Sequence, residues 1–241
     1  MKGYIDLHSH YLPGIDDGVR SFEEGVRLCT RLAAIGYDHV VATPHMRTAM
    51  FPNQRPELVS LFQRFQELTS DVPGMPRTGL GAEHFFDDVF WERFMNDEII
   101  PYPGGHAALV EFANEQLPMR VDDFFFEMHL KGVCPVIAHP ERYRPLFKAT
   151  TPIEGLIRGG ALPLLDLMSL VGKYGRRPQR AAERMLSEGV YYAACSDAHR
   201  PDDVDIVAKA IERLHRLVGP EHGLMLLSEN PGRILSGQVE A

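Results

Sequence analysis

The regular alternation of short apolar segments with amphipathic segments constrains the fold of this 241-residue chain most strongly. Apolar residues at helical spacing predict helices over residues 21–36, 55–70, 121–131, 176–188 and 202–218. The short apolar segments predict seven strands, over residues 3–7, 39–43, 78–83, 107–112, 133–138, 161–167 and 190–195. Because strands separated by helices pair in parallel, we predict an α/β protein. The favoured architecture is one closed or nearly closed (β/α) barrel, and the alternative is a doubly wound open sheet.

The length, charge and cysteine pattern narrow the class of protein. No linker or low-complexity segment interrupts the alternation, which predicts a single domain over residues 1–241. The net charge of -8 argues against nucleic-acid binding, which usually needs a basic surface. No apolar run approaches the roughly 20 residues of a transmembrane helix, and the first residues do not resemble a signal peptide. Cys29, Cys134 and Cys195 are scattered, which is typical of a reducing compartment. We therefore expect a cytoplasmic protein without membrane insertion.

Histidines and acidic residues follow almost every predicted strand. Nine of them lie at or just after the C-terminal ends of six strands: His8, His10, Asp17, His45, Glu83, Glu111, His139, Asp197 and His199. The C-terminal ends of the strands of a parallel barrel share one face, and that face carries the active site. We therefore expect the nine side chains to converge there.

The spacing and the types of these residues favour a metal cluster. In the His-Ser-His segment at 8–10, the alternation of an extended chain points both imidazoles to the same side, and the Asp-Ala-His segment at 197–199 repeats this arrangement. The carboxylates of Glu83 and Glu111 can bridge two cations and offset their repulsion. Five imidazoles and four carboxylates without a thiolate favour Mn, Fe or Zn. Each residue alone has a structural alternative, such as helix capping for Asp197, so the prediction depends on the joint pattern.

Motifs shared with a known superfamily span nearly the whole chain, in the same order. They are DLHSH, PGIDDG, TPH, GAE, VEF, AHPERY, SDAH and NPGRIL. In these motifs the chain resembles the polymerase-and-histidinol-phosphatase (PHP) superfamily, and more narrowly its bacterial manganese-dependent tyrosine-protein phosphatases of capsule and exopolysaccharide loci. The resemblance implies a distorted seven-stranded (β/α)7 TIM-like barrel with three divalent metal ions, which are manganese or alternatively iron or zinc.

The resemblance also implies a ligand set for each ion. By motif position, the ions would be held by His8, His10, Glu83 and Asp197; by Glu83, Glu111 and His139; and by Asp17, His45 and His199. The implied activity is hydrolysis of phosphotyrosine on proteins by metal-bridged hydroxide, with a bacterial tyrosine kinase as a partner. Arginine can bind the equatorial oxygens of the phosphate through paired N–H groups. Arg142 in AHPERY and Arg200 directly after SDAH are the candidates.

Three positions depart from the pattern of that phosphatase branch. Leu164 and Asp166 stand where the branch commonly carries Gln and Asn, and Val204 lies where an arginine often follows the last motif. These departures leave the metal ligands unchanged but bear on substrate preference. A histidinol-phosphate or other small-molecule phosphatase therefore remains an alternative, as does a metal-binding module without activity.

A thiol-dependent phosphatase is a different class, and the sequence argues against it. Such an enzyme requires Cys-x5-Arg, whereas the interval from Cys195 to Arg200 is one residue shorter. Phosphate-cradling glycines are also missing from this interval. We predict instead that Cys195 is a small apolar residue of the barrel wall.

Overall fold

The computed structural model describes residues 3–239, and this part of the chain forms nine strands and eight α-helices. The strands are β1 (Tyr4–Ser9), β2 (Tyr37–Ala42), β3 (His45–Met46), β4 (Arg77–Leu80), β5 (Glu83–Phe85), β6 (Ala107–Glu111), β7 (Cys134–Ala138), β8 (Leu162–Asp166) and β9 (Ala193–Cys195). The helices are α1 (Phe22–Ala34), α2 (Arg55–Thr69), α3 (Asp88–Met95), α4 (Val121–Leu130), α5 (Thr151–Arg158), α6 (Arg176–Ser187), α7 (Asp203–Leu224) and α8 (Asn230–Leu235).

All seven ladders between these strands are parallel, in the orders β1-β2-β4 and β3-β5-β6-β7-β8-β9. The third predicted strand, 78–83, is divided into β4 and β5 by Gly81 and Ala82. Backbone hydrogen bonds cross this division, since the Gly81 N–H donates to the Ala42 carbonyl at 2.8 Å and the Glu83 N–H donates to the Pro44 carbonyl at 3.1 Å. The two sheets are therefore continuous in space, although the ladder between them is broken.

The first and last strands also meet. An isolated parallel bridge joins Ser9 to Ala198, and the Asp197 N–H donates to the His8 carbonyl at 2.9 Å. Within each sheet the strands are ordered as they occur in the sequence, whereas a doubly wound sheet reverses its strand order near the middle. The predicted α/β, TIM-like architecture is confirmed, and the short bridge and the divided third strand are the sites of its distortion.

The helices begin and end close to the predicted positions where the sequence signals are strong. The Ser21 hydroxyl caps α1 by accepting from the Glu24 N–H at 3.3 Å, as the capping-box spacing predicts. The predicted end of the last long helix near residue 218 coincides with an interruption of α7 at Gly219, whose φ of 80° is left-handed. Helices α3, α5 and α8 were not predicted, because segments of six to eight residues are too short to show a clear helical period.

The strands direct one set of side chains into one apolar cluster, which we call the inner cluster, and the other set into an outer cluster that includes the helices. On β7, for example, Val136 packs in the inner cluster with Leu109 and Leu164, whereas Ile137 packs in the outer one. Cys195 belongs to the inner cluster and is fully buried, which confirms its predicted place in the wall. Within residues 3–239, no helix combines the length and the apolar character needed to cross a bilayer.

Candidate metal centre

The C-terminal ends of the strands bring all nine of the predicted ligands together. Their potential ligand atoms form four overlapping groups in which all atoms lie within 4.8 Å of one another. These groups are His10, Asp17, His45 and His199; His8, His10 and Asp197; His8, Glu83 and His139; and His45, Glu83 and Glu111. The overlap means that the side chains form one continuous polar cluster.

Local backbone geometry explains how neighbouring residues reach the same cluster. Because β1 is extended, His8 and His10 point to the same side, and their Nε2 atoms are 3.2 Å apart. His139 and Asp197 instead have left-handed backbones, with φ of 33° and 48°. This conformation costs of order 1–3 kcal/mol for a residue other than glycine. Its occurrence at two residues of the cluster indicates that the surrounding contacts hold them there.

Glu83 lies at the centre of the cluster and is almost completely buried. Its Oε2 is 3.1 Å from His8 Nε2 and 3.0 Å from His45 Nδ1, and its Oε1 is 2.9 Å from His139 Nε2. Burial would raise the pKa of this carboxyl, but His8 and His45 outweigh burial and hold the pKa well below its usual value. Glu83 is therefore an anion that contacts three imidazoles at once.

Carboxylates flank this centre on both sides. Asp197 Oδ1 is 3.3 Å from His8 Nε2 on one side. On the other, the half-exposed Asp17 has its Oδ1 3.3 Å from His199 Nε2 and 3.5 Å from His45 Nε2. Acidic and imidazole groups alternate through the cluster, so each carboxylate faces nitrogen atoms that can share a cation with it.

Two residues of the ligand set implied for the second ion, Glu111 and His139, have buried side-chain atoms without a hydrogen-bond partner among residues 3–239. Among the described residues, neither His139 Nδ1 nor Glu111 Oε2 has a hydrogen-bond partner. Burial and the Glu83 charge raise the pKa of Glu111 to about 7, while burial and the Arg142 guanidinium lower the pKa of His139 to about 4. Neutral imidazole is the form that ligates metal ions, and a cation would relieve the repulsion between the two glutamates. The donor set therefore fits divalent metal ions.

Asp16 contributes to the cluster although only its neighbour Asp17 was predicted to do so. The buried Asp16 Oδ2 accepts from His10 Nδ1 at 2.8 Å and from the His45 N–H at 3.2 Å, and its Oδ1 accepts from the Gly18 N–H at 2.8 Å. A carboxylate in this position orients the imidazole so that its Nε2 faces the cluster. The double aspartate in PGIDDG was the sequence signal for it, but adjacency alone does not distinguish the two roles.

The two arginine candidates have different surroundings. Arg142 Nη1 is 2.6 Å from Asp197 Oδ2, and its guanidinium lies over the Tyr174 ring. Arg200 Nη1 donates to the backbone carbonyls of Gly18 and His199. Arg142 therefore lies at the cluster, whereas the side chain of Arg200 connects the loops that carry Asp17 and His199.

The cluster opens to solvent through a small cavity of about 190 Å³. Seven of the nine residues line it, together with residues that the motifs did not indicate: Arg47, Met50, Phe51 and Asn114. Phe51 stacks on His45, with ring centroids 5.2 Å apart and planes 8° from parallel. Leu164 and Asp166, at two of the departures, are fully buried and do not line the cavity, although Asp166 Oδ2 lies 3.7 Å from Arg142 Nη1.

Comparison with known proteins gives matches along nearly the whole chain. A family model described as capsular polysaccharide synthesis, CpsB/CapC, matches residues 4–236. The tyrosine-protein phosphatase YwqE of Bacillus subtilis is 25% identical over 240 residues, which cover 98% of this chain and 92% of that protein. The tyrosine-protein phosphatase CpsB of Streptococcus pneumoniae is 24% identical over 241 residues, which cover 98% of this chain and 99% of that protein.

Solved structures give the same result for the fold. A crystal structure described as one of the metal-dependent tyrosine phosphatases YwqE and CpsB matches with a TM-score of 0.88 at 23% identity, covering 97% of this chain and 94% of that one. The phosphotriesterase homology protein of Escherichia coli matches with a TM-score of 0.58 at 13% identity, covering 100% and 99%. These structures support the fold, and the family model over residues 4–236 confirms the family resemblance seen in the motifs.

Proposed function

We propose, since the chain belongs to the CpsB/CapC family of capsular polysaccharide synthesis, that it is a metal-dependent phosphatase acting on phosphotyrosine in proteins. The convergence of nine nitrogen and oxygen ligands around Glu83 carries this proposal. A cluster of this composition beside an arginine suits a phosphate monoester, whose negative charge both cations and guanidinium groups can bind.

The proposed ligand sets are those implied by motif position, with three ions per chain and manganese as the first candidate. His8, His10, Glu83 and Asp197 would hold one ion; Glu83, Glu111 and His139 a second; and Asp17, His45 and His199 a third. The short distances within each set support this division, since every set contains or overlaps a group of atoms within 4.8 Å. Ligands of nitrogen and oxygen without sulfur suit manganese, iron and zinc.

Bound divalent ions supply positive charge that lowers the pKa of a coordinated water and offsets the charge of the phosphate. The side chains of the protein bind and position the substrate and hold the ligands in place. Arg142 lines the cavity and can donate its free N–H groups to phosphate oxygens. Asp16 holds the His10 ring in place. The ring of Phe51 and the exposed Met50 give the rim an apolar surface on which the phenyl group of tyrosine can rest.

The wider setting is part of the same proposal. We propose that residues 1–241 act as one catalytic domain and that a bacterial tyrosine kinase supplies the phosphorylated substrate. The cytoplasm is the proposed location, since all three cysteines are free and buried, as is typical of a reducing compartment.

A metal-reconstituted phosphatase screen tests the proposed function. Purified protein would be stripped of metal, reloaded with manganese, iron or zinc, and assayed on a phosphotyrosine peptide, a phosphoserine peptide and histidinol phosphate. We expect kcat/KM to be highest for the phosphotyrosine peptide and turnover to disappear in the metal-free control. A preference for histidinol phosphate would favour the small-molecule alternative. Metal binding without turnover of any substrate would indicate an inactive module.

The Asp16→Asn variant tests how the cluster is held together. The amide keeps the size of the side chain but removes the charge that accepts hydrogen bonds from the His10 ring and from the His45 backbone N–H. Loss of such a supporting carboxylate typically costs 10–100-fold in metal affinity or activity, so we expect a loss of about this size. Calorimetric titration with manganese measures the affinity, and Asp71→Asn at an exposed position is the matched control. Equal affinities in the two variants would contradict the assigned role of Asp16.

A further inference from the structure

We propose that Arg47 is a second phosphate-binding residue of this site, donating its guanidinium N–H groups to the oxygens of a bound phosphate together with Arg142. The inference rests on the proposed phosphatase function and adds a residue that no motif indicated. Within residues 3–239, Arg47 and Arg142 are the two arginines that line the cavity over the metal centre. Any phosphate that reaches the cluster through this opening passes both side chains.

The guanidinium of Arg47 is held by a ring rather than by a carboxylate. It lies over Phe85, with 4.0 Å between the guanidinium carbon and the ring centroid. Phe85 is two residues beyond Glu83 on β5, so this stacking places the charge beside the centre of the cluster. A guanidinium that stacks on a ring keeps its N–H groups in the plane free for other acceptors. In the described part of the chain, no carboxylate lies within ion-pair distance of these groups.

The backbone around Arg47 fixes the side chain in this position. The Arg47 N–H donates to the Phe51 carbonyl at 3.0 Å, and the Phe51 N–H donates to the Arg47 carbonyl at 2.7 Å, so the segment from 47 to 51 forms a tight turn. The Phe51 ring at the end of this turn stacks on His45. One end of the turn therefore rests on Phe85 and the other on a residue of the cluster. Such prior ordering lowers the entropic cost of binding an anion.

Arg142 and Arg200 do not supply all the hydrogen-bond donors that a bound phosphate needs. One end of the Arg142 guanidinium is already bonded to Asp197, so only part of its hydrogen-bonding capacity is available to a phosphate. The side chain of Arg200 bonds to two backbone carbonyls and does not line the cavity. A phosphate monoester has three non-bridging oxygens, which one partly occupied guanidinium cannot satisfy. Arg47 supplies the missing donors at the same opening.

Inorganic phosphate binding and peptide turnover test the proposal together. Both would be measured on manganese-loaded wild-type protein, Arg47→Ala, Arg47→Lys and Arg64→Ala, after elemental analysis of each. Arg64 is a matched control, since its guanidinium also lies over a phenylalanine ring, that of Phe22, but is exposed on α2 and away from the cavity. For Arg47→Ala we expect phosphate to bind about 10- to 100-fold more weakly and the KM for the phosphotyrosine peptide to rise similarly, the range for losing hydrogen bonds to a charged group.

The variants separate a contact with phosphate from a structural role. Arg47→Lys keeps the charge but loses the planar set of donors, so its loss should be smaller than that of alanine. Wild-type affinity for phosphate in Arg47→Ala would overturn the proposal, and so would a loss of metal in both Arg47 variants or an equal loss in Arg64→Ala. If the wild-type protein turns over no substrate, the proposed function fails, but the comparison of inorganic phosphate affinities, measured by calorimetric titration, still decides the role of Arg47.

Discussion

Glu83→Gln is expected to lower turnover of a phosphotyrosine peptide by at least about 100-fold and to reduce the metal content of the protein. Loss of a supporting residue alone costs up to about 100-fold in comparable sites, and Glu83 is proposed as a direct ligand of two ions. The substitution keeps the shape of the side chain. It removes the one carboxylate that contacts His8, His45 and His139 together.

Elemental analysis after reconstitution and steady-state kinetics at saturating manganese measure the two effects of Glu83→Gln. Glu115→Gln is the matched control, because Glu115 is exposed and its only ion-pair partner in the described part of the chain is Arg144. The control should keep wild-type metal content and turnover. Full metal occupancy with normal kinetics in Glu83→Gln would show that the carboxylate is not a shared ligand.

His139→Ala is expected to cost at least about 100-fold in turnover, while Cys195→Ser retains turnover within several-fold. His139 contacts Glu83 directly, and its loss removes a proposed ligand of the second ion. Cys195 lies in the inner wall, where burial raises the pKa of the thiol far above its ordinary value, so the nucleophilic thiolate is not formed. A serine can still donate to the Leu165 carbonyl, as the thiol does at 3.3 Å.

The pair of variants separates a metal mechanism from a thiol mechanism. Steady-state kinetics with saturating manganese would be run on both, and thermal unfolding would show whether a loss arises from packing instead. An inactive Cys195→Ser beside an active His139→Ala would contradict the metal mechanism. If both variants fold but neither is active, Cys195 has a role in turnover that packing does not explain.

The positions of most strands and the convergence of the nine polar residues could be predicted from the sequence, whereas the short strand β3 (His45–Met46) lies outside the predicted strands. The strand positions depend on local rules, since alternation and helical period are set by the geometry of neighbouring residues. Once parallel strands are inferred, their C-terminal ends must share a face. The division of the third strand at Gly81 was not predictable in the same way, because the strand changes its pairing there from β2 to β3, which depends on residues far away in the chain.

The two aspartates of PGIDDG and the arginines show what only the tertiary structure decided. Asp16 and Asp17 are adjacent and chemically identical, yet their side chains point in different directions. The Asp16 carboxylate contacts His10, whereas the Asp17 carboxylate contacts His199 at the opening of the cavity. Arg200 follows a motif directly but bonds to backbone, whereas Arg47 reaches the cavity because its turn folds back onto His45 and Phe85. The sequence by itself determined which side chains could bind metal. Their orientation and their partners depend on contacts between residues far apart in the chain, which local sequence patterns do not encode.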